Sequence, residues 1–391
     1  MKNKVETIIQ ILTTEIVQDI GLLTGISGQI LLCSELFLHQ KISQEWLNHL
    51  HSVLENRLES EEFIFTHCSG LAGIGWLYEY LSQRKITDYD TNILLEDFDN
   101  YLEKALKNFL LEKNYDFLHG GVGVALYFAK RAIKKKELVN VLNQFLDDLE
   151  RISIENDGTL KWRSYLSEEI GWGYNISLAH GMASIVSILA KLHQIEGIDK
   201  EKTERLLFGV VPYILAQEIN KDKYGSYFSC FALESTSNIF KSRMGWCYGD
   251  LGIASALFQA GKVLNENVWI DKSLEILLFA ATKRRGLEDN FVRDAELCHG
   301  TAGIGHIFYR VWWNTRLPQF KEAADYWFDQ TLKMAKFSDG LAGFKTMEVP
   351  DGKPKWINKY GLLEGISGIG LAMLTYYHET EPTWDECLLL S

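Results

Sequence analysis

Three side chains in this sequence have the character of soft metal donors: Cys247, and the adjacent pair Cys298 and His299. Two thiolates and one imidazole, with a fourth position open, make the ligand count of catalytic zinc, because structural zinc usually takes four protein ligands. Sulfur and imidazole also favour zinc over magnesium or calcium. Spacing alone is a weak signal, since 51 residues separate the two cysteines and buried cysteines commonly act as small apolar fillers. The chemistry therefore depends on elements that would bring the three donors together.

Those elements are visible as a sevenfold repeat of Gly-x-x-Gly followed by an apolar helical pattern. The copies are Gly25–Gly28, Gly70–Gly73, Gly120–Gly123, Gly181–Ser184, Gly249–Gly252, Gly300–Gly303 and Gly365–Gly368; the fourth departs by ending in serine. Good helix formers follow each copy, and amphipathic stretches such as 102–110 lie between them. Each repeat reads as a helical hairpin, one helix beginning at the glycines and another returning. The mean period is about 57 residues, within the range of helical repeats with insertions. Seven hairpins predict an all-α fold of about fourteen helices. Open solenoids need polar caps at their ends, whereas Leu23–Gly28 and Leu363–Gly368 are nearly identical and uncapped. That predicts closure, with the seventh repeat packing on the first. Glycine at a helix start permits a tight turn and close backbone approach, so most motif glycines need no catalytic explanation.

Aligned on the first glycine, the preceding position holds Thr24, Ser69, His119, His180, Tyr248, His299 and Glu364, every one polar beside an apolar helix. One place earlier stand Leu23, Cys68, Leu118, Ala179, Cys247, Cys298 and Leu363. In a ring of repeats this column gathers at helix N-termini, which favour thiolates and other anions. Cys247 and Cys298–His299 come from consecutive repeats. Cys68 shares the cysteine position, but three repeats away from Cys247 it is expected to be structural. His119 is expected to be a satisfied structural histidine. Cys33, Cys230 and Cys387 lie outside the column and have no functional case.

Composition bounds the remaining choices. The chain has 391 residues and a formal charge of −12, which argues against nucleic acid as the main partner. No secretory signal and no apolar run long enough to span a membrane are visible, so a cytoplasmic protein with reduced thiols is expected. The five prolines all lie at or beyond Pro212, leaving earlier helices uninterrupted. The basic run Lys130–Lys136 reads as the solvated end of a helix. No strand block is evident, although Phe344–Pro354 would suit a hairpin.

At Gly245-Trp246-Cys247-Tyr248-Gly249, Cys298-His299-Gly300-Thr301-Ala302-Gly303 and Leu178-Ala179-His180-Gly181 the chain resembles the lanthionine synthetase C-like, or lanthionine cyclase, family. Trp384 and the Leu388-Leu389-Leu390-Ser391 ending are similar too, so the resemblance runs nearly end to end as one domain, 1–391. It implies an α/α toroid of seven inner and seven outer helices, with Cys247, Cys298 and His299 matching the zinc ligands. It also implies that His180, Asp116, Arg243 and Tyr248 match active-site positions. The implied activity is addition of cysteine thiols to dehydroalanine or dehydrobutyrine, forming (methyl)lanthionine rings. The implied partners are a dehydrated precursor peptide, a separate dehydratase and an exporter. Three alternatives stay open on the residues alone. Glutathione addition to dehydroamino acids would use the same site. A non-catalytic peptide-binding repeat protein would need no zinc. A prenyltransferase-like toroid would need a diphosphate-binding basic cluster and typically an Asp-Cys-His ligand set, whereas this chain offers Cys-Cys-His and shows no such cluster near its motifs.

Overall fold

The computed structural model describes residues 1–59, 63–168, 170–232 and 241–391. In chain order the helices are α1 (Lys2–Leu12), α2 (Ile26–Leu38), α3 (Gln44–Leu58), α4 (Leu71–Gln83), the single turn α5 (Thr91–Leu94), α6 (Glu96–Leu111), α7 (Gly121–Arg131) and α8 (Val139–Arg151). They continue as α9 (Met182–His193), α10 (Lys200–Leu215), the single turn α11 (Lys221–Tyr224), α12 (Asp250–Leu264), α13 (Asn267–Lys283), α14 (Thr301–Thr315), α15 (Pro318–Met334) and α16 (Ile366–His378). Apart from the two single turns, fourteen helices remain among the described residues, the number the repeats predict. Seven of them (α2, α4, α7, α9, α12, α14, α16) have the first motif glycine as N-cap.

The two sets differ in sequence and therefore in burial. The motif helices are rich in apolar residues and buried on nearly every face; all residues from Leu71 to Leu81 in α4 are buried. The return helices carry one apolar stripe; α8 buries Val139, Leu142, Phe145, Leu146 and Leu149 and exposes its other side.

Packing divides the chain into two compact units, Met1–Leu94 with Leu287–Trp384, and Leu95–Gly286 with Asp385–Ser391. In the first unit the motif helices pack in the order α14, α16, α2, α4, and α1 packs on α16. The seventh motif helix thus meets the first, as the matching terminal motifs predict, and the N-terminal helix covers it. In the second unit α9 packs on both α7 and α12.

The motif loops are joined by backbone hydrogen bonds at the position two before the first glycine. In the first unit Leu23 N donates to Cys68 O (2.9 Å), Leu363 N to Leu23 O (2.9 Å) and Cys298 N to Leu363 O (3.1 Å). In the second, Ala179 N donates to Cys247 O at 3.2 Å. The sequence column is a physical strip of paired backbone.

The glycines permit this. The first N–H of α2 bonds Asp19 O (2.7 Å) and that of α4 bonds Ile64 O (2.9 Å), satisfying donors that a helix start leaves unpaired. A Cβ on Gly25 would stand 2.1 Å from Asp19 O, and one on Gly28 would stand 2.8 Å from Leu362 Cβ of the neighbouring repeat. Ser184, the departure in the fourth motif, turns its hydroxyl back onto Gly181 O at 2.7 Å.

Two expectations are corrected. The run Lys130–Lys136 is not wholly solvated: Arg131 is buried in a bidentate pair with Asp99, and Lys130 is buried against Glu386 at 2.5 Å. Strands exist beyond the anticipated hairpin, and that hairpin itself reaches past Phe344–Pro354: β6 (Thr346–Glu348) lies in the expected segment, but its antiparallel partner β7 (Lys355–Ile357) begins just after it. The others are β1 (Ile154–Asn156), β2 (Thr159–Lys161), β3 (Ser164–Ser167), β4 (Gly171–Asn175) and β5 (Phe231–Ala232). β1 pairs β2, and β4 pairs both β3 and β5. They are short, β1 is fully exposed, and β4 carries two glycines, so no apolar alternation announced them. Among the described residues no helix is long and apolar enough to cross a membrane.

Candidate active site

The polar column keeps its access to solvent. Thr24, Ser69, His119, His180, Tyr248, His299 and Glu364 are each exposed or half-buried, while the glycine after each is buried.

Asp116 sits in the loop between α6 and α7, where Asn114 shapes the turn by accepting from Asp116 N (3.2 Å) and donating to His119 O (3.1 Å). One Asp116 oxygen accepts from His119 N at 2.8 Å, and the other meets His180 Nδ1 at 2.7 Å. His180 is held from behind by Ser177, whose hydroxyl accepts from His180 N at 3.3 Å. Burial pushes the imidazole toward its neutral form, but the Asp116 hydrogen bond and charge outweigh it, so its pKa lies above the ordinary value. The Tyr248 ring lies 6.0 Å from that of His180, centre to centre. Burial, then the Cys247 charge, push the Tyr248 phenol up to about 12, while a hydrogen bond with the Asn175 side chain opposes them. Asp116, His180 and Tyr248 line one cavity of about 380 Å³, with Arg163, Tyr165 and Trp172 of the β3–β4 region on its wall.

Arg243 lies on a segment anchored from below by a buried ion pair. Asp250 accepts from Arg284 Nη1 (2.8 Å), Tyr227 N (3.1 Å) and Phe228 N (3.0 Å), and Arg284 Nη2 donates to Ser242 O at 2.6 Å. Gly249 closes the turn at φ +91°, and a Cβ there would stand 2.7 Å from Arg243 O. Cys247 and Tyr248 fall between these anchors, Cys247 a buried cysteine in no disulfide.

In the other unit Cys298 is also a buried cysteine in no disulfide, and His299 follows it just before the N-terminus of α14. His299 Nδ1 stands 2.9 Å from Glu296 Oε1, though too obliquely for a well-formed hydrogen bond. Burial is the main reason that the Glu296 carboxyl rises to about 7; His299 opposes the rise and Asp294 adds to it. The donor chemistry fits zinc: two thiols without a disulfide, and an imidazole whose Nδ1 faces a carboxylate, the usual support of a metal-binding histidine.

The sequence of residues 14–389 matches the family described as lanthionine synthetase C-like protein. The chain belongs to that family. Among the relatives of this lanthionine synthetase C-like chain is the nisin biosynthesis protein NisC of Lactococcus lactis subsp. lactis, 24% identical over 413 residues, which cover 95% of this chain and 89% of that protein. A solved structure of nisin cyclase superimposes with a TM-score of 0.78 at 22% identity, covering 100% of this chain and 97% of that one. That likeness shows the fold, the all-α, α/α-toroid architecture expected from the repeats.

Four residues near these groups escaped the sequence reading. His119, expected to be structural, is solvent-exposed and stacks on His180 with ring centres 6.0 Å apart. Cys230, set aside as outside the column, is hydrogen-bonded to the Arg243 backbone. Trp172 reaches the cavity on a strand with no apolar alternation to flag it. Glu296 did have a signal: it stands four residues before its motif glycine, the slot that Asp116 occupies in the third repeat.

Proposed function

We propose that this family member is a zinc-dependent lanthionine cyclase, one domain over 1–391, acting on a dehydrated ribosomal precursor peptide. The observation that carries the reading is the Asp116–His180 pair, 2.7 Å apart beside Tyr248 in an open cavity. The names of the relatives, a nisin biosynthesis protein and a nisin cyclase, support the same substrate class. Cys247, Cys298 and His299 would hold the metal, His180 and Asp116 would move protons, and Arg243 and Tyr248 would stabilise charge.

A free cysteine of pKa about 8.5 is only a few per cent thiolate at neutral pH. Zinc, when bound, would supply the missing activation by favouring the thiolate form of the substrate cysteine. The sulfur then attacks the β-carbon of the dehydrated residue; the S–Cβ bond forms while the C=C pair moves toward the carbonyl as an enolate. Protonated His180 gives its proton to Cα, and Asp116 holds the imidazolium in place during the transfer. The thiol proton released earlier replaces it through the same Asp116–His180 pair, so the product has the mass of the substrate. Arg243, with Tyr248, would balance the negative charge that develops on the enolate oxygen. A dehydratase, on this reading a separate one, would supply the substrate, since the chemistry starts from an existing double bond, and an exporter would take the cyclised product. The thiols of both partners need a reducing compartment, the cytoplasm.

Purified protein is expected to contain one zinc per chain, lost in Cys247→Ala and in Cys298→Ala, and to consume the free thiols of a dehydrated peptide without changing its mass. Full zinc in both variants overturns the ligand set. A mass increase of one glutathione, in a parallel incubation, with no ring closure redirects the activity to an external thiol.

A further inference from the structure

Glu296 has a burial problem that only one neighbour addresses. Its side chain is 1% exposed, and Asp294 and Glu364 add negative charge around it. Asp294 is provided for, accepting from Met347 N at 3.0 Å and lying near Glu296 N at 3.4 Å. Glu296 has neither oxygen in good hydrogen-bond geometry with any described group, and the approach of His299 Nδ1 to 2.9 Å is its one ion-pair contact. A buried carboxylate without a partner is costly, and a packing role alone would be served as well by an apolar side chain. The slot has a precedent within the chain. Four residues before its motif glycine, Asp116 also turns a carboxylate onto an imidazole Nδ1, that of His180 in the next repeat.

We propose that Glu296 is the positioning residue of His299: its carboxylate keeps the proton on Nδ1 and so leaves Nε2 as the unprotonated nitrogen presented to the metal. The proposal rests on the zinc reading above and adds to it a tautomer and the residue that sets it. The physical basis is that an imidazole coordinates through the nitrogen that lacks a proton, and which one lacks it is set by the hydrogen bond the other makes. Metallation makes the Nδ1–H a stronger donor, so the carboxylate and the metal reinforce each other, and losing such a partner typically costs 10- to 100-fold in metal affinity. The separation is already within hydrogen-bond range, and a turn of the ring would align it.

The test compares wild type with Glu296→Ala and Glu296→Gln by zinc competition against a chelator, by thermal unfolding of the metal-free proteins, and by nitrogen NMR of His299 without metal. Wild type is expected to show the Nδ1–H tautomer. Glu296→Ala is expected to lose that preference and to bind zinc about 10- to 100-fold more weakly, with metal-free stability unchanged or higher. Glu296→Gln, which keeps an acceptor oxygen, is expected to fall between. Unchanged zinc affinity in Glu296→Ala, with wild type holding one zinc, overturns the proposal and leaves the zinc reading intact. A wild type that binds no zinc overturns the zinc reading instead, and the NMR tautomer then decides whether Glu296 orients the ring. Equal loss of metal-free stability in both variants with no tautomer change assigns Glu296 a structural role and also overturns the proposal.

Discussion

Asp116 and Glu296 occupy the same slot of the repeat, and each faces a histidine Nδ1, yet their surroundings separate them. Asp116 is 22% exposed and also accepts from His119 N, and its partner His180, 29% exposed, lines an open cavity. Glu296 is 1% exposed and has no comparable amide donor among the described residues, although His299 is 26% exposed. A pair with solvent contact and a donor-supported carboxylate can exchange protons during turnover. A pair whose carboxylate is sealed away is suited to holding one ring in one state. On the proposed roles, the same loop would provide a proton-transfer pair in one repeat and a ring-orienting pair in another, the difference being set by what covers the carboxylate.

The comparison breaks most readily at His180. His180→Ala is expected to retain full zinc and lose cyclisation by about 10³-fold, within the range for a general acid–base group; unchanged rates remove His180 from the mechanism. That outcome contrasts with Glu296→Ala, where metal affinity falls rather than the proton-transfer step. A smaller effect is expected for Asp116→Asn, about 10²-fold in kcat. The sign of its pH effect follows from the causes at His180: burial lowers the pKa, and the Asp116 hydrogen bond and charge raise it. Without that charge the His180 pKa falls, so the acid form is lost at lower pH and the alkaline limb of the pH–rate profile moves down. A limb that stays in place shows that Asp116 does not govern His180.

His51 gives the comparison its control, an imidazole with no carboxylate. Neither ring nitrogen has a hydrogen-bond partner among the described residues, and burial lowers its pKa from 6.5 to about 4. Because the folded pKa lies below the unfolded one, stability is complete above pH 6.5 and declines as pH falls toward 4. Between pH 7 and 5.5 this group alone is expected to cost about 1 kcal/mol. Denaturant unfolding of wild type and His51→Leu should show that difference in their acid-induced losses; parallel curves contradict the burial argument.

Much of the fold was legible because its main signal is local. Seven glycine motifs, each followed by an apolar run, give the helix starts directly, and the near-identity of Leu23–Gly28 and Leu363–Gly368 anticipates the packing of α16 on α2. The strip of backbone pairing through Leu23, Cys68, Leu363 and Cys298 is the sequence column in physical form. The strands from Ile154 to Asn175 were not legible, because short exposed strands leave no apolar alternation to read. Arg131 looked like a solvated helix end until the structure placed Asp99 against it, a partner 32 residues away.

Residue types and their repeat positions by themselves determined the helical hairpins, the polar column and the soft donor set, since each depends on local periodicity or on side-chain chemistry. Tertiary structure alone decided that Asp116 meets the histidine of the following repeat while Glu296 meets that of its own. It also decided which carboxylate is sealed and which is open. The reason is that the same slot yields different surroundings once loops of unequal length and composition pack around it, and burial is a property of those neighbours rather than of the residue.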